Sequence, residues 1–313
     1  MADLIRPVYL RPEAQPVSAW SQLTQHQRNA LEQLANMLFE ASKRTSVDTR
    51  SKKELPWLFN ETRTQLAFVN GKRGTGKTTL MTTLASGIFQ PDCFLEFENE
   101  TATTQSDANP PDQRVSDPQY RRVKDLLTQL KDCVICVQPL EMEGLPENTP
   151  LMVAILARIL RAVELSQHAC APSGGDREQR RFRQFLVRVS QSIESNLPQR
   201  RGQLDPEQYG QAVFDEEQKR LQLPSDLDVI LKELSNRIIG RAQGDCSNRQ
   251  RPRPLFLIPI DDVDLNPRRC TELLRLLRTY SPPRELFFLL MGQFELVEHI
   301  VEQSMTADFR GIK

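Results

Sequence analysis

The chain has 313 residues, 39% of them hydrophobic and 26% charged, enough for one large or two ordinary globular domains. Lys plus Arg and Asp plus Glu number 41 each, so the overall charge gives no electrostatic argument for nucleic acid as a partner. The longest apolar runs, at 254–263 and 286–292, fall far short of the roughly 20 residues of a membrane-spanning helix, and residues 1–4 lack the charged start and apolar block of a signal peptide, so a soluble cytoplasmic protein without a membrane partner is expected.

Residues 1–17 carry Pro7, Pro12 and Pro16 and read as an extended arm. Ser18 is a candidate N-cap. From there Trp20, Leu23, Gln27, Ala30, Leu31, Leu34, Ala35, Leu38 and Phe39 recur at helical spacing and predict a helix with one buried face. A polar loop is expected over 44–53, then an apolar knot of Leu55, Pro56, Trp57, Leu58 and Phe59.

A short apolar run from Leu66 ends at Asn70, and Gly71, Gly76, Lys77 and Thr78 follow in the spacing G-x-x-x-x-G-K-[ST] before a second apolar segment. This predicts strand, phosphate loop and helix. Glycines let the backbone curl so that several N–H groups point into one hole, to which the helix N-terminus adds partial positive charge. Polyphosphate fits such a hole. The loop residues Gly71, Gly74, Thr75, Gly76, Lys77, Thr78 and Thr79 are therefore the candidate nucleotide ligands, with Lys77 reaching the β- and γ-phosphates and the Thr78 hydroxyl on Mg²⁺. Lys72 and Arg73 read as solvated extras, and the competing explanation is a glycine-rich turn that matches by chance.

The next helix runs through Leu80, Leu84, Ala85 and Ile88 and stops near Pro91; residues 99–118 read as a polar surface loop. A helix over 120–131 leads to a strand over 133–137. Six cysteines are scattered through the chain, which favours free thiols over a disulfide framework. Cys133 and Cys136, three apart on a strand, point to opposite faces and suit core packing better than one metal ion. After a turn at 144–150, Pro150 opens an apolar helix over 151–160. Between 169 and 225 lies a helical, arginine-rich insertion with Arg177, Arg180, Arg181 and Arg183, whose charges could grip phosphate, a neighbouring subunit or water. A helix over 226–240 and a basic loop over 241–253 follow.

The apolar run 254–260 ends in Asp261, Asp262 and Asp264, as a strand buried on both faces and tipped with carboxylates should read. Asp261 is the second candidate metal ligand, holding Mg²⁺ through water, and Asp262 the candidate base for the attacking water. Asp264 reads as a loop or cap carboxylate. Pro259 disagrees with a central strand, so a bulge before the carboxylates or an earlier strand end is expected. Asn266 caps a helix with Pro267 at its first position and Leu273, Leu274, Leu276 and Leu277 as its buried stripe. A last strand over 286–291 ends at Gly292 and Gln293, and a final helix holds Phe294, Leu296, Val297, Ile300 and Val301. Gln293 fits a polar sensor of the γ-phosphate or attacking water, or simply begins that helix.

With these residues in view, the chain resembles P-loop ATPases of the additional-strand class, which includes AAA+, STAND and KAP-type proteins. The resemblance rests on the loop at 71–78, on Asp261, Asp262 and Asp264 after an apolar strand, and on the strand that closes at Gly292 and Gln293; it spans roughly residues 55–305. In general layout the chain is also similar to the ATPase component of the RADAR anti-phage defence system. The resemblance implies an α/β fold: a three-layer, parallel-sheet P-loop NTPase core with a helical insertion. Its parts would be an amino-terminal arm and helix (1–54), the first core segment (55–168), the insertion (169–225) and the second core segment (226–313). In many such ATPases the position of the 55–59 knot covers the adenine; packing against the sheet serves equally well. Such ATPases continue into a fifth strand and a lid with a second sensor arginine, whereas this sequence stops at Lys313. The resemblance therefore implies either a piece of a longer protein, the favoured expectation, or a core without a lid that would enclose nucleotide poorly. Arg278, Arg284 and Arg310 are the candidate arginine fingers.

The implied activity is Mg²⁺-dependent ATP hydrolysis, with Lys77, Asp262 and Gln293 as catalytic residues, driving a switch in a larger complex such as an anti-phage assembly. A homo-oligomer and a protein effector are the implied partners. The alternatives are a nucleotide-binding scaffold with little turnover and a nucleic-acid-stimulated ATPase using the arginines of 177–201 and 241–253. A small-molecule kinase shares the loop, but the adjacent second acid favours water as the acceptor.

Overall fold

In the computed structural model, five strands among the described residues form one sheet, and their pairings are all parallel: β1 (Gln65–Asn70), β2 (Val134–Cys136), β3 (Leu140–Glu141), β4 (Leu255–Asp261) and β5 (Leu286–Gly292). The structure describes residues 16–17, 20–46, 65–91, 117–146, 149–168, 205–215, 254–279 and 285–310, with single residues at 180, 184, 187, 218, 227, 229 and 231. The strand order is β1-β5-β4-β2, with β3 also paired to β4. β5 thus lies between β1 and the acid-tipped β4.

All residues of β4 and β5 are buried, which is why both read as unbroken apolar runs. Their alternate side chains feed two separate cores. On one face Phe256, Ile258, Ile260, Leu286, Phe288 and Leu290 pack with α4 (Leu151–His168), α5 (Pro267–Thr279) and α6 (Phe294–Arg310). On the other, Leu255, Leu257, Phe287, Leu289 and Met291 meet α1 (Gln25–Ser46), α2 (Lys77–Phe89) and α3 (Pro118–Leu130). The molecule is an α/β protein with a parallel sheet covered by helices on both faces.

Pro259 neither bulges nor ends its strand, contrary to the sequence expectation: β4 runs on to Asp261, with Pro259 in register with Leu289. The ladder explains why. Odd-numbered residues of β4 bond toward β2 and β3, as Leu255 N–H to the Cys133 carbonyl and Val137 N–H to the Leu257 carbonyl show, whereas Phe256 N–H turns the other way, to Glu285. The donor that Pro259 lacks would therefore face residues 137–139, the break between β2 and β3, where Pro139 also lacks an N–H. The register slips by one residue across that break, from Cys136 opposite Leu257 to Leu140 opposite Ile260, so the missing donor falls where the ladder is already interrupted.

Other boundaries shift. A 3₁₀ turn occupies Trp20–Gln22 and α1 starts only at Gln25, capped by Thr24 rather than Ser18, and it continues to Ser46 through part of the expected loop. β3 was not anticipated, because two residues after a proline carry no periodicity. In α6, Val297 and Ile300 are buried but Phe294 and Leu296 are 51% and 43% exposed, so the apolar stripe is narrower than expected. Phe294 instead sets its ring edge-on to Phe68 of β1. The Asn266 cap holds, its side chain accepting from Arg269 N–H at 3.1 Å. The 55–59 knot, the 177–201 arginines apart from Arg180, and the 241–253 loop lie outside the described residues. Among the described residues no helix is long and apolar enough to cross a membrane.

Candidate functional site

The parallel strands β1, β4 and β5 all end at one edge of the sheet, and the three candidate motifs follow those ends. From β1 the Gly71 N–H donates to the Gly292 carbonyl at 3.1 Å, anchoring the loop to the end of β5. Residues 72–75 are exposed. Thr75 closes the turn, its hydroxyl on the Lys72 carbonyl at 2.8 Å, and packs so near Gly71 that a Cβ there would lie 2.6 Å from Thr75 Oγ1. Gly76 has φ 83°, the left-handed region, and is the N-cap of α2 with no side-chain cap. The first N–H groups of α2 consequently have no intrahelical acceptor and face outward with the positive end of the helix dipole.

Lys77 bends back over this loop, donating to the carbonyls of Gly71 at 2.7 Å and Lys72 at 3.1 Å. Its ammonium is thereby held at the loop's mouth. Thr79 is half-buried, and its carbonyl accepts from the Thr82 and Thr83 hydroxyls.

Thr78 connects the loop to the acids. Its hydroxyl donates to Asp261 Oδ2 at 2.7 Å across 183 residues of sequence, and Asp261 Oδ1 accepts from the Asp262 N–H at 2.9 Å. Asp261 is only 5% exposed, so both carboxylate oxygens need these partners. Asp262 follows at φ 53°, a conformation rare for a residue with a side chain. That kink turns the chain back: the Val263 N–H reaches the Met291 carbonyl at 3.1 Å and the Leu265 N–H the Asp262 carbonyl at 3.2 Å. Asp264 then lies over Gly292, where a Cβ would stand 2.8 Å from Asp264 Oδ1. It sits in the turn after β4, as the loop reading has it.

Gln293 begins α6, its carbonyl accepting from the Leu296 and Val297 N–H groups at 3.1 and 3.2 Å. That role uses only its backbone. Gln293 itself is half-buried and follows Gly292, whose carbonyl takes the Gly71 N–H at the root of the loop. Asn70, which the sequence reading passed over, joins the two: its Oδ1 accepts from the Phe294 N–H at 2.9 Å. A polar residue closing an apolar strand just before a glycine loop was the available signal.

Thr78 and Asp261 put a hydroxyl and a carboxylate oxygen side by side, a pair of hard oxygens that fits Mg²⁺ rather than a soft metal. Among the described residues no group of three or more His, Cys, Asp or Glu is placed to hold a metal. Burial pushes the Cys136 thiol up to about 12, and burial with the Asp264 charge pushes Cys270 up to about 11, so both behave as core residues.

No protein-family model and no curated protein matches the chain. Fold and site together define an α/β protein of parallel sheet in which a glycine-rich loop and an acid-tipped strand meet at the carboxyl ends of the strands.

Proposed function

We propose that the protein binds ATP with Mg²⁺ and hydrolyses it, on a three-layer P-loop NTPase core of the additional-strand class. The observation that carries this reading is the 2.7 Å hydrogen bond from Thr78 to Asp261, which unites loop and acids. The strand order supports it too, since β5 separates the loop strand from the acid strand.

The N–H groups at the start of α2 and the Lys77 ammonium bind the β- and γ-phosphates. Thr78 and Asp261 would hold Mg²⁺, which would supply charge neutralisation when bound. Water attacks the γ-phosphorus, the bond to the β–γ bridging oxygen breaks and ADP leaves. Asp262 takes the proton of the attacking water, and Gln293 orients that water from the end of β5. Turnover of this kind would drive a conformational or assembly switch in a larger complex.

The test is phosphate release by the wild type, Lys77→Ala and Asp262→Asn. Asparagine tolerates positive φ about as well as aspartate, so Asp262→Asn removes the proton acceptor without new strain at φ 53°. A loss of about 10²–10⁴-fold in kcat is expected there. Unchanged rates in both variants would remove the hydrolytic reading, while tight ATP binding without turnover in the wild type would leave a nucleotide-binding scaffold.

A further inference from the structure

Gln27, which helical periodicity assigns to a buried stripe, turns its side chain toward the phosphate loop instead. Thr24 and Gln27 form a reciprocal cap at the start of α1. Gln27 Oε1 accepts from the Thr24 N–H at 3.0 Å and from the Thr24 hydroxyl at 3.1 Å, while Thr24 Oγ1 accepts from the Gln27 N–H at 3.3 Å. With its carbonyl oxygen committed, the amide has one orientation. Nε2, a donor with two protons, faces Gly76, where a Cβ would lie 2.8 Å from it. Among the described residues Nε2 has no acceptor. Gly76 must therefore be a glycine twice over, for its φ of 83° and for the space Gln27 takes.

We propose that Gln27 Nε2 donates to a phosphate oxygen of the nucleotide held on the loop, making α1 a second wall of the phosphate site. This inference rests on the ATP-binding reading above. The N–H groups and dipole at the start of α2 select an anion at Gly76, and a donor aimed there completes the anion's shell. Because the Gln27 carbonyl is already occupied, the contact reads phosphate and not base. Capping alone does not explain the amide: glutamate serves the reciprocal cap equally well, and near the positive start of α1 its charge is favoured. A phosphate neighbour explains it, since a carboxylate there would repel the ligand.

The experiment measures the Kd of a fluorescent ATP analogue, its displacement by inorganic triphosphate, and the Tm, for the wild type, Gln27→Glu, Gln27→Ala and Lys77→Ala. Gln27→Glu is expected to keep its cap and melt at or above the wild-type temperature, yet to bind ATP and triphosphate about tenfold or more weakly. Gln27→Ala should weaken both ligands by a smaller factor. Wild-type affinity in Gln27→Glu, or a loss for ATP with none for triphosphate, overturns the proposal. If the wild type binds no nucleotide, or Lys77→Ala binds as tightly as the wild type, the ATP-binding reading fails and takes this inference with it.

Discussion

The Thr78 hydroxyl, one residue into α2, and the Asp261 carboxylate, at the tip of β4, are 2.7 Å apart. No local signal could bring them together. Their meeting requires that β1, β4 and β5 run parallel, with all three ends at one edge of the sheet. Asp261 Oδ1 also takes the Asp262 N–H, so one buried carboxylate fixes both the loop helix and the next acid.

Gly292→Ala should destabilise the fold. A methyl there would come within 2.8 Å of both Asp264 Oδ1 and Val263 Cγ2, and the turn after β4 cannot retreat without breaking the Val263 bond to Met291. A loss of about 1–3 kcal/mol is expected from such overpacking, read as a lower urea midpoint at constant m-value. An unchanged midpoint would mean that the turn is looser than its hydrogen bonds imply.

Asn70 caps α6 from the end of β1, so Asn70→Ala should cost about 1 kcal/mol. Asn70→Asp keeps the acceptor and should restore most of that. Chemical denaturation of the pair separates lost capping from lost bulk: equal destabilisation by both substitutions would rule the cap out.

Asp117 ties α1 to α3. It accepts from the Trp20 indole at 2.9 Å and from the Gln119 N–H at 2.9 Å, and lies 3.6 Å from Arg28; chiefly the Trp20 bond holds its pKa below the usual carboxylate value. A carboxylate depressed in the folded state adds stability above its unfolded pKa, about 3.9, and loses it as pH falls through the folded value. Asp117→Asn should therefore be less stable than the wild type at pH 7, with the gap closing below about pH 4. Asp117 is 36% exposed, so the effect is modest. A gap that stays constant between pH 7 and pH 3 would show that the charge is irrelevant.

Much of the site was legible because its signals are local. The spacing of Gly71, Gly76, Lys77 and Thr78, and the apolar run of β4 ending in Asp261, each announce themselves within a dozen residues or so. What sequence could not supply was placement. That β5 lies beside β1, and that β4 runs unbroken through Pro259 because the missing donor faces the break between β2 and β3, depend on neighbours more than a hundred residues away. Gln27 was a different failure: Thr24 and Gln27 match the reciprocal-cap pattern, but a helical stripe drawn from Trp20 absorbed Gln27 as a core position.

The most direct test of the union of loop and acids is a double-mutant cycle on ATP affinity, with and without Mg²⁺, in the wild type, Thr78→Ala, Asp261→Asn and the combination. If the two residues hold one Mg²⁺–nucleotide, Mg²⁺ tightens ATP binding in the wild type, either single substitution abolishes most of that gain, and the double substitution loses little more. Fully additive losses, or a wild-type affinity indifferent to Mg²⁺, would contradict the shared site.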